Sequence, residues 1–282
     1  MKILSDKRCV IGEGPVWNEF NKKLYQVNGF AKEILEINIC TNEVKTRKLP
    51  FGVSAIAFSK TGEMLISCMD GAFILNDDNT HLPLYDREKY DIKYCNDAKV
   101  GPDGKFYVGT QSSKRFGTGD KIDGKLYSIG KNGEVEVLLD GLILSNGFDW
   151  SMDEKRFYHT DSDTGIIKEY DFDKENGILT FTGRKVEVGG VDGFTIDQND
   201  FLYVACWGSG HIAMVDTADM QIKNYIDVPA KIPASCCFAG NDMDKFIVVT
   251  ASYSIDIKND ANAGYTFMCE NISKGRKPFL FG

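Results

Sequence analysis

The apolar positions of this chain recur in pairs. Six times a short apolar run is followed by a turn rich in Gly, Asp, Asn or Lys, and then by a second apolar run. The units are "GPVWNEFNKKLYQVN", "AIAFSKTGEMLISCM", "DAKVGPDGKFYVGTQ", "GFDWSMDEKRFYHTD", "GFTIDQNDFLYVACW" and "CCFAGNDMDKFIVVTA". Short runs bounded by such turn residues predict paired β-strands, and no ten-residue segment sustains the 3.6-residue period of a helix. The large apolar residue before each turn serves as an anchor: Trp17, Phe58, Val100, Trp150, Ile196 and Phe238. Successive anchors lie 41, 42, 50, 46 and 42 residues apart. Between the hairpins lie further short strands, such as "EILEIN", "GKLYSIG", "IIKEYDFD" and "HIAMVDT". Four short strands in a period of ~40–50 residues describe a propeller blade. The expected fold is therefore all-β, a six-bladed β-propeller occupying residues 1–282 as a single domain. The N-terminal "KILSD" is expected to add an outer strand to the last blade and so close the ring.

In a propeller, equivalent positions of the inner strands face the central channel at one height. Four residues before each anchor stand Glu13, Ser54, Asn96, Asn146, Asp192 and Ala234. Singly, each polar residue has an ordinary explanation, because "GEG", "NG" and "DG" are turn signals. Their shared register in different blades favours a different reading, a constellation of oxygen donors around the axis. Carboxylates gathered in a channel repel one another and are costly to desolvate. A bound cation relieves both effects. With only oxygen donors, the expected cofactor is one divalent metal ion in the central channel. Calcium is the first choice, with magnesium, manganese or zinc as alternatives. Two anionic ligands balance the ion's charge without filling its coordination shell, and the open positions that remain are what Lewis-acid chemistry requires.

The segments "GEGPVW", "NDAKVGPDGKFYVGT", "SNGFDWS", "VDGFTID" and "PASCCFAG" resemble, in order along almost the whole chain, the SMP-30/gluconolactonase/LRE family. The resemblance implies a six-bladed propeller with one divalent ion held by Glu13, Asn146 and Asp192. It further implies that Asp192 acts as general base in lactone hydrolysis and that Asn96 touches substrate or water beside the ion. The chain departs from the family pattern in "LYQVN" of the first blade, with Gln26 and Asn28, and at two positions that bear on substrate. Where "RxND" is usual, with an arginine on the sugar, this chain has Tyr94 in "YCND". A family glutamate that helps hold the sugar falls near Lys114. Tyr94 and Lys114 are thus the expected substrate contacts, with sugar recognition rewritten around a retained metal set. Lys114 and Arg115 sit in the Gly-rich loop "SSKRFGTGDKIDG", either a lid that attracts an anionic substrate or a solvated loop.

Composition narrows the alternatives. A net charge of −8 with dispersed Lys and Arg disfavours nucleic acid. No window approaches the ~18 apolar residues of a membrane span. The N-terminal "MKILSDKRCV" lacks an apolar signal region, and eight cysteines show no CxxC spacing, so a reducing cytoplasmic setting is expected. Vicinal Cys236 and Cys237 are expected to pack beside the channel, since a bridge between neighbours is strained. His81, His159 and His211 are scattered, and His159 reads as a strand residue rather than a base. No G-x-S-x-G elbow is present. Trp207 is either a substrate wall or core. The expected function is a divalent-metal-dependent hydrolase of a sugar lactone or related small cyclic ester. The alternatives are a non-catalytic metal-binding propeller and a hydrolase of another ester or phosphoester on the same scaffold.

Overall fold

The computed structural model describes residues 1–282 and contains six four-stranded antiparallel sheets, five of them running outward in chain order from an inner strand. Five blades are continuous in sequence: Gly12–Lys48, Val53–Pro83, Cys95–Leu142, Ser145–Glu187 and Val191–Asp227. The sixth takes its inner three strands from Pro233–Glu270 and its outermost from Lys2–Ser5, which pairs with Thr266–Glu270. The N-terminal strand therefore closes the ring as its sequence suggested. The N-terminus of the chain is thereby tied to the last blade.

The apolar runs pack between blades rather than into one central core. Tyr25, Val27 and Ile34 of the first blade meet Val53, Ile56 and Phe58 of the second. Tyr107 and Leu126 of the third blade meet Phe148, Trp150 and Phe157 of the fourth. The anchor residues Trp17, Phe58, Val100, Trp150, Ile196 and Phe238 are all buried in these wedges.

Each inner strand carries a register irregularity at the same place in the repeat: Glu13/Val16, Val53/Ala55, Cys95/Ala98, Ser145/Phe148, Val191/Phe194 and Pro233/Ser235. A bulge inserts an unpaired residue and re-aims its side chain. The residue four before the anchor lies in or at the edge of every one. The chemistry-bearing positions are thus presented by a repeated backbone device.

The "NG" and "DG" pairs are not turns. Gly147 and Gly193 lie inside strands Ser145–Trp150 and Val191–Ile196. They are glycines because the next blade approaches too closely for a side chain. A Cβ on Gly147 would stand 2.4 Å from the Asp192 carbonyl oxygen and 2.5 Å from the Phe194 ring, and one on Gly193 would stand 2.3 Å from Ser235 Oγ.

After the last strand, the chain turns back across one end of the channel. Gly275 N–H donates to the Met243 carbonyl, and the Lys274 carbonyl accepts from Gln198 N–H. Arg276 donates to the Trp150 carbonyl at 2.7 Å and to the Asp149 carboxylate. Phe281 N–H reaches the Phe58 carbonyl at 3.0 Å, and Gly282 N–H the Gly104 carbonyl at 3.0 Å. This tail ties five blades together on what we call the lower face.

Overpacking a close strand contact costs about 1–3 kcal/mol. Gly147→Ala is therefore expected to destabilise the protein by about that amount in urea unfolding. Gly189→Ala, whose Cβ meets nothing within 4 Å, should stay within about 0.5 kcal/mol of the parent.

Candidate metal centre and channel

The channel is divided at Asp97, which lines a cavity on either side. The upper cavity has a volume of about 640 Å³ and opens to solvent; the lower has about 90 Å³ and ends against the tail. Glu13, Asn96, Asn146 and Asp192 all line the upper cavity, together with Ser54. They come from the inner strands of the first, third, fourth and fifth blades. Asn146 and Asp192 are almost fully buried, while Glu13 keeps part of its surface toward the cavity.

The hydrogen bonding leaves the carboxylates short of partners. Asn146 donates through Nδ2 to Asp192 Oδ1. Glu13 Oε2 accepts only from the N–H of its neighbour Gly14, at 3.3 Å. Asn96 is oriented by donating Nδ2 to the Ser145 carbonyl at 3.1 Å. Burial raises the Glu13 carboxyl well above its ordinary range, and the Asp192 and Asp97 charges raise it further. Burial also pushes Asp192 up to about 8, against the Asn146 hydrogen bond that lowers it and with the Asp97 charge that raises it. Asp97 itself is raised by burial, with Lys99 pulling the other way.

One layer down, the same register carries a compensated charge. Asp149 receives Lys99 Nζ at 3.0 Å and the Arg276 guanidinium. Burial pushes the Asp149 carboxyl up, yet Lys99 and Arg276 bring it below its ordinary value. The upper carboxylates have no such lysine or arginine. No three His, Cys, Asp or Glu side chains are disposed to hold an ion, so an ion here would also draw on the amide oxygens of Asn146 and Asn96. Two carboxylates and carboxamide oxygens form a hard donor set that suits a divalent cation such as calcium. The residues present fit the group.

Tyr94 and Lys114 do not line the cavity; Arg115 and Phe116 do. Tyr94 has φ 58°, a left-handed backbone conformation, and stacks on Phe116 at 4.5 Å between ring centroids. Its hydroxyl lies 3.0 Å from Thr118 Oγ1, so its polar end is engaged by the loop. Arg115 is paired with Asp163 at 2.6 Å. Trp207 does line the cavity, so the wall is its place rather than the core. Asp97 was not among the residues expected at the axis, although its position beside Asn96 matches Gly14, Gly147 and Gly193 in other blades. A carboxylate where the repeat has glycine was the available signal.

The remaining candidates are structural. His159 is buried, with Nε2 2.9 Å from Ser145 Oγ, and burial followed by the Lys168 charge lowers its pKa to about 3. It supports the strand that carries Asn146. Cys236 and Cys237 are free thiols lining the lower cavity, as expected beside the channel. No helix is long and apolar enough to cross a membrane.

Residues 11–252 match the SMP-30/gluconolactonase/LRE-like region, and the chain belongs to that family. It is 29% identical to YvrE of Bacillus subtilis (strain 168), whose assignment as a sugar lactone lactonase is itself provisional, over 98% of this chain and 97% of that one. It is also 29% identical to regucalcin of Bos taurus, over 98% and 96% of the two chains. Among solved structures, the calcium-binding protein regucalcin of Agrobacterium tumefaciens str. C58 superposes with a TM-score of 0.88. That pair is 24% identical, covering 99% of this chain and 96% of the other. A gluconolactonase of Xanthomonas campestris, XC5397, gives a TM-score of 0.77 at 18% identity, covering 95% and 88%.

The raised Asp192 carboxyl sets a pH dependence for the metal-free protein. Its folded value of about 8 exceeds the ordinary 3.8. The stability it contributes is therefore complete below about pH 4 and lost as pH rises through about 8. Thermal melts of metal-stripped protein should show this fall, and added calcium should raise the midpoint most at the alkaline end. Asp192→Asn should flatten the profile and weaken the calcium response.

Proposed function

We propose that this protein is a divalent-metal-dependent lactone hydrolase acting on a sugar lactone or a related small cyclic ester. The observation that carries this reading is the contrast between the two layers of the channel. Asp149 is neutralised from within the chain, whereas Glu13 and Asp192 pair with no lysine or arginine, the one cationic residue of their open cavity, Arg115, being paired with Asp163. The family membership, and the lactonase and gluconolactonase names of relatives, support the same chemistry.

Glu13, Asn146 and Asp192 would hold a divalent ion, which when bound would supply Lewis acidity toward a lactone carbonyl and toward water. Asp192 takes the proton from the attacking water as the tetrahedral oxyanion forms. The Asn146 N–H on Asp192 fixes which carboxylate oxygen remains free to do so. Asn96, immobilised by the Ser145 carbonyl, orients the water or the ring oxygen that leaves. Asp97 keeps the local potential negative, which holds the cation and strengthens Asp192 as a base. Collapse of the oxyanion breaks the ring C–O bond and releases a hydroxy acid, the alkoxide taking the proton that Asp192 received.

The test is hydrolysis of a lactone panel by metal-stripped protein refilled with calcium, magnesium, manganese or zinc. Turnover should return with metal, and Asp192→Ala should lower kcat by about 10²–10⁴-fold without unfolding the propeller. Metal binding with no turnover of any lactone would instead favour the non-catalytic propeller.

A further inference from the structure

The upper cavity has a polar floor and an apolar wall, and the wall is as regular as the floor. In every blade the connection between the second and third strands reaches the cavity. The residues it contributes there include Phe30, Met69, Phe116, Ser162, Trp207 and Tyr253 from the first to the sixth blade in order. Five of the six are large and apolar. Phe30, Met69, Phe116 and Tyr253 are 64%, 43%, 40% and 47% exposed. Phe30 and Tyr253 meet edge to face at 5.7 Å, so the ring has a contiguous arc. Apolar surface gathered around one opening marks a binding site rather than scattered exposure.

The wall offers little to a hydroxyl group. Arg115 is paired with Asp163 at 2.6 Å. Gln111 leans toward Asn96 Oδ1 at 3.5 Å, and Ser54 Oγ is 2.7 Å from Ser67 Oγ. Among the six ring residues, Ser162 Oγ is buried without a partner, and the Trp207 indole N–H and the Tyr253 hydroxyl are the other polar atoms, each on the edge of an otherwise apolar ring. A six-membered sugar lactone seated with its carbonyl at the floor would turn several hydroxyls toward these rings. Most would lose water without finding a partner, which a binding site cannot offset. Tyr94, beside the ring residue Phe116, has its hydroxyl taken up by Thr118.

We infer that the substrate is a lactone carrying an alkyl or aryl arm, the ring seated on the polar floor and the arm laid along the apolar wall. This rests on the lactone-hydrolase reading above and narrows its substrate. Burying an arm there removes both its own surface and that of Phe30, Trp207 and Tyr253 from water.

The experiment compares three lactones of one ring size on the calcium-loaded full chain: δ-valerolactone, δ-gluconolactone and δ-decalactone, which bears a pentyl arm. Each kcat/KM is divided by the rate of hydroxide hydrolysis of the same compound to remove intrinsic reactivity. δ-Decalactone should exceed both others by at least about tenfold, since single methylenes in apolar pockets already carry such factors. Phe30→Ser and Trp207→Ser should each lower the decalactone-to-valerolactone ratio by about tenfold, while Phe30→Leu should largely keep it; melting curves establish that the variants are folded. Preference for δ-gluconolactone, or a ratio unmoved by the wall variants, would overturn the inference while leaving the lactone-hydrolase reading in place. No turnover of any of the three would overturn both.

Discussion

Two carboxylates buried on the axis of a propeller, with no cationic side chain beside them, form the constraint around which this molecule is arranged. Burial alone raises both, and mutual repulsion with Asp97 adds to it. The chain is able to solve this problem internally, since Lys99 and Arg276 solve it for Asp149 one layer below. Leaving the upper pair uncompensated is a property of the site and not of the fold. Such a cluster is tolerable when a mobile positive charge takes the place that a lysine would otherwise fill.

The backbone that holds this pair is built by repetition. Six bulges at one register turn one residue per blade toward the axis. Glycines beside Glu13, Asn146 and Asp192 let the next inner strand come close enough for those side chains to converge. Ring closure is then a condition for the site. Glu13 and Asp192 belong to the first and fifth blades, separated by 179 residues of chain. They line one cavity in a ring whose sixth blade includes the Lys2–Ser5 strand.

Blade number, ring closure and the height of the axial residues were legible in the sequence because each follows from a period. Spacing of anchors yields the blades, and a fixed offset from the anchor yields Glu13, Asn96, Asn146 and Asp192. What escaped lies outside the period. Local preference alone would make turns of the "NG" and "DG" pairs, and their shared register corrected that, but the reason for the glycines is a neighbouring strand that appears only in three dimensions. Tyr94 looked like a substrate contact because alignment places a residue but not its backbone angle, and φ 58° sends its ring to Phe116. The loop displaced Lys114 by one or two positions in favour of Arg115 and Phe116. The crossing of the tail depends on contacts from Met243 to Gly104 that no short motif encodes.

That tail has a kinetic meaning. Residues 276–280 line the lower cavity and cross it, leaving about 90 Å³ below the floor against about 640 Å³ above it. A molecule of substrate size therefore has room only on the upper side. On the lactone-hydrolase proposal, product and next substrate would share that upper mouth, and a slow exit would hold back turnover however fast the bond-breaking step.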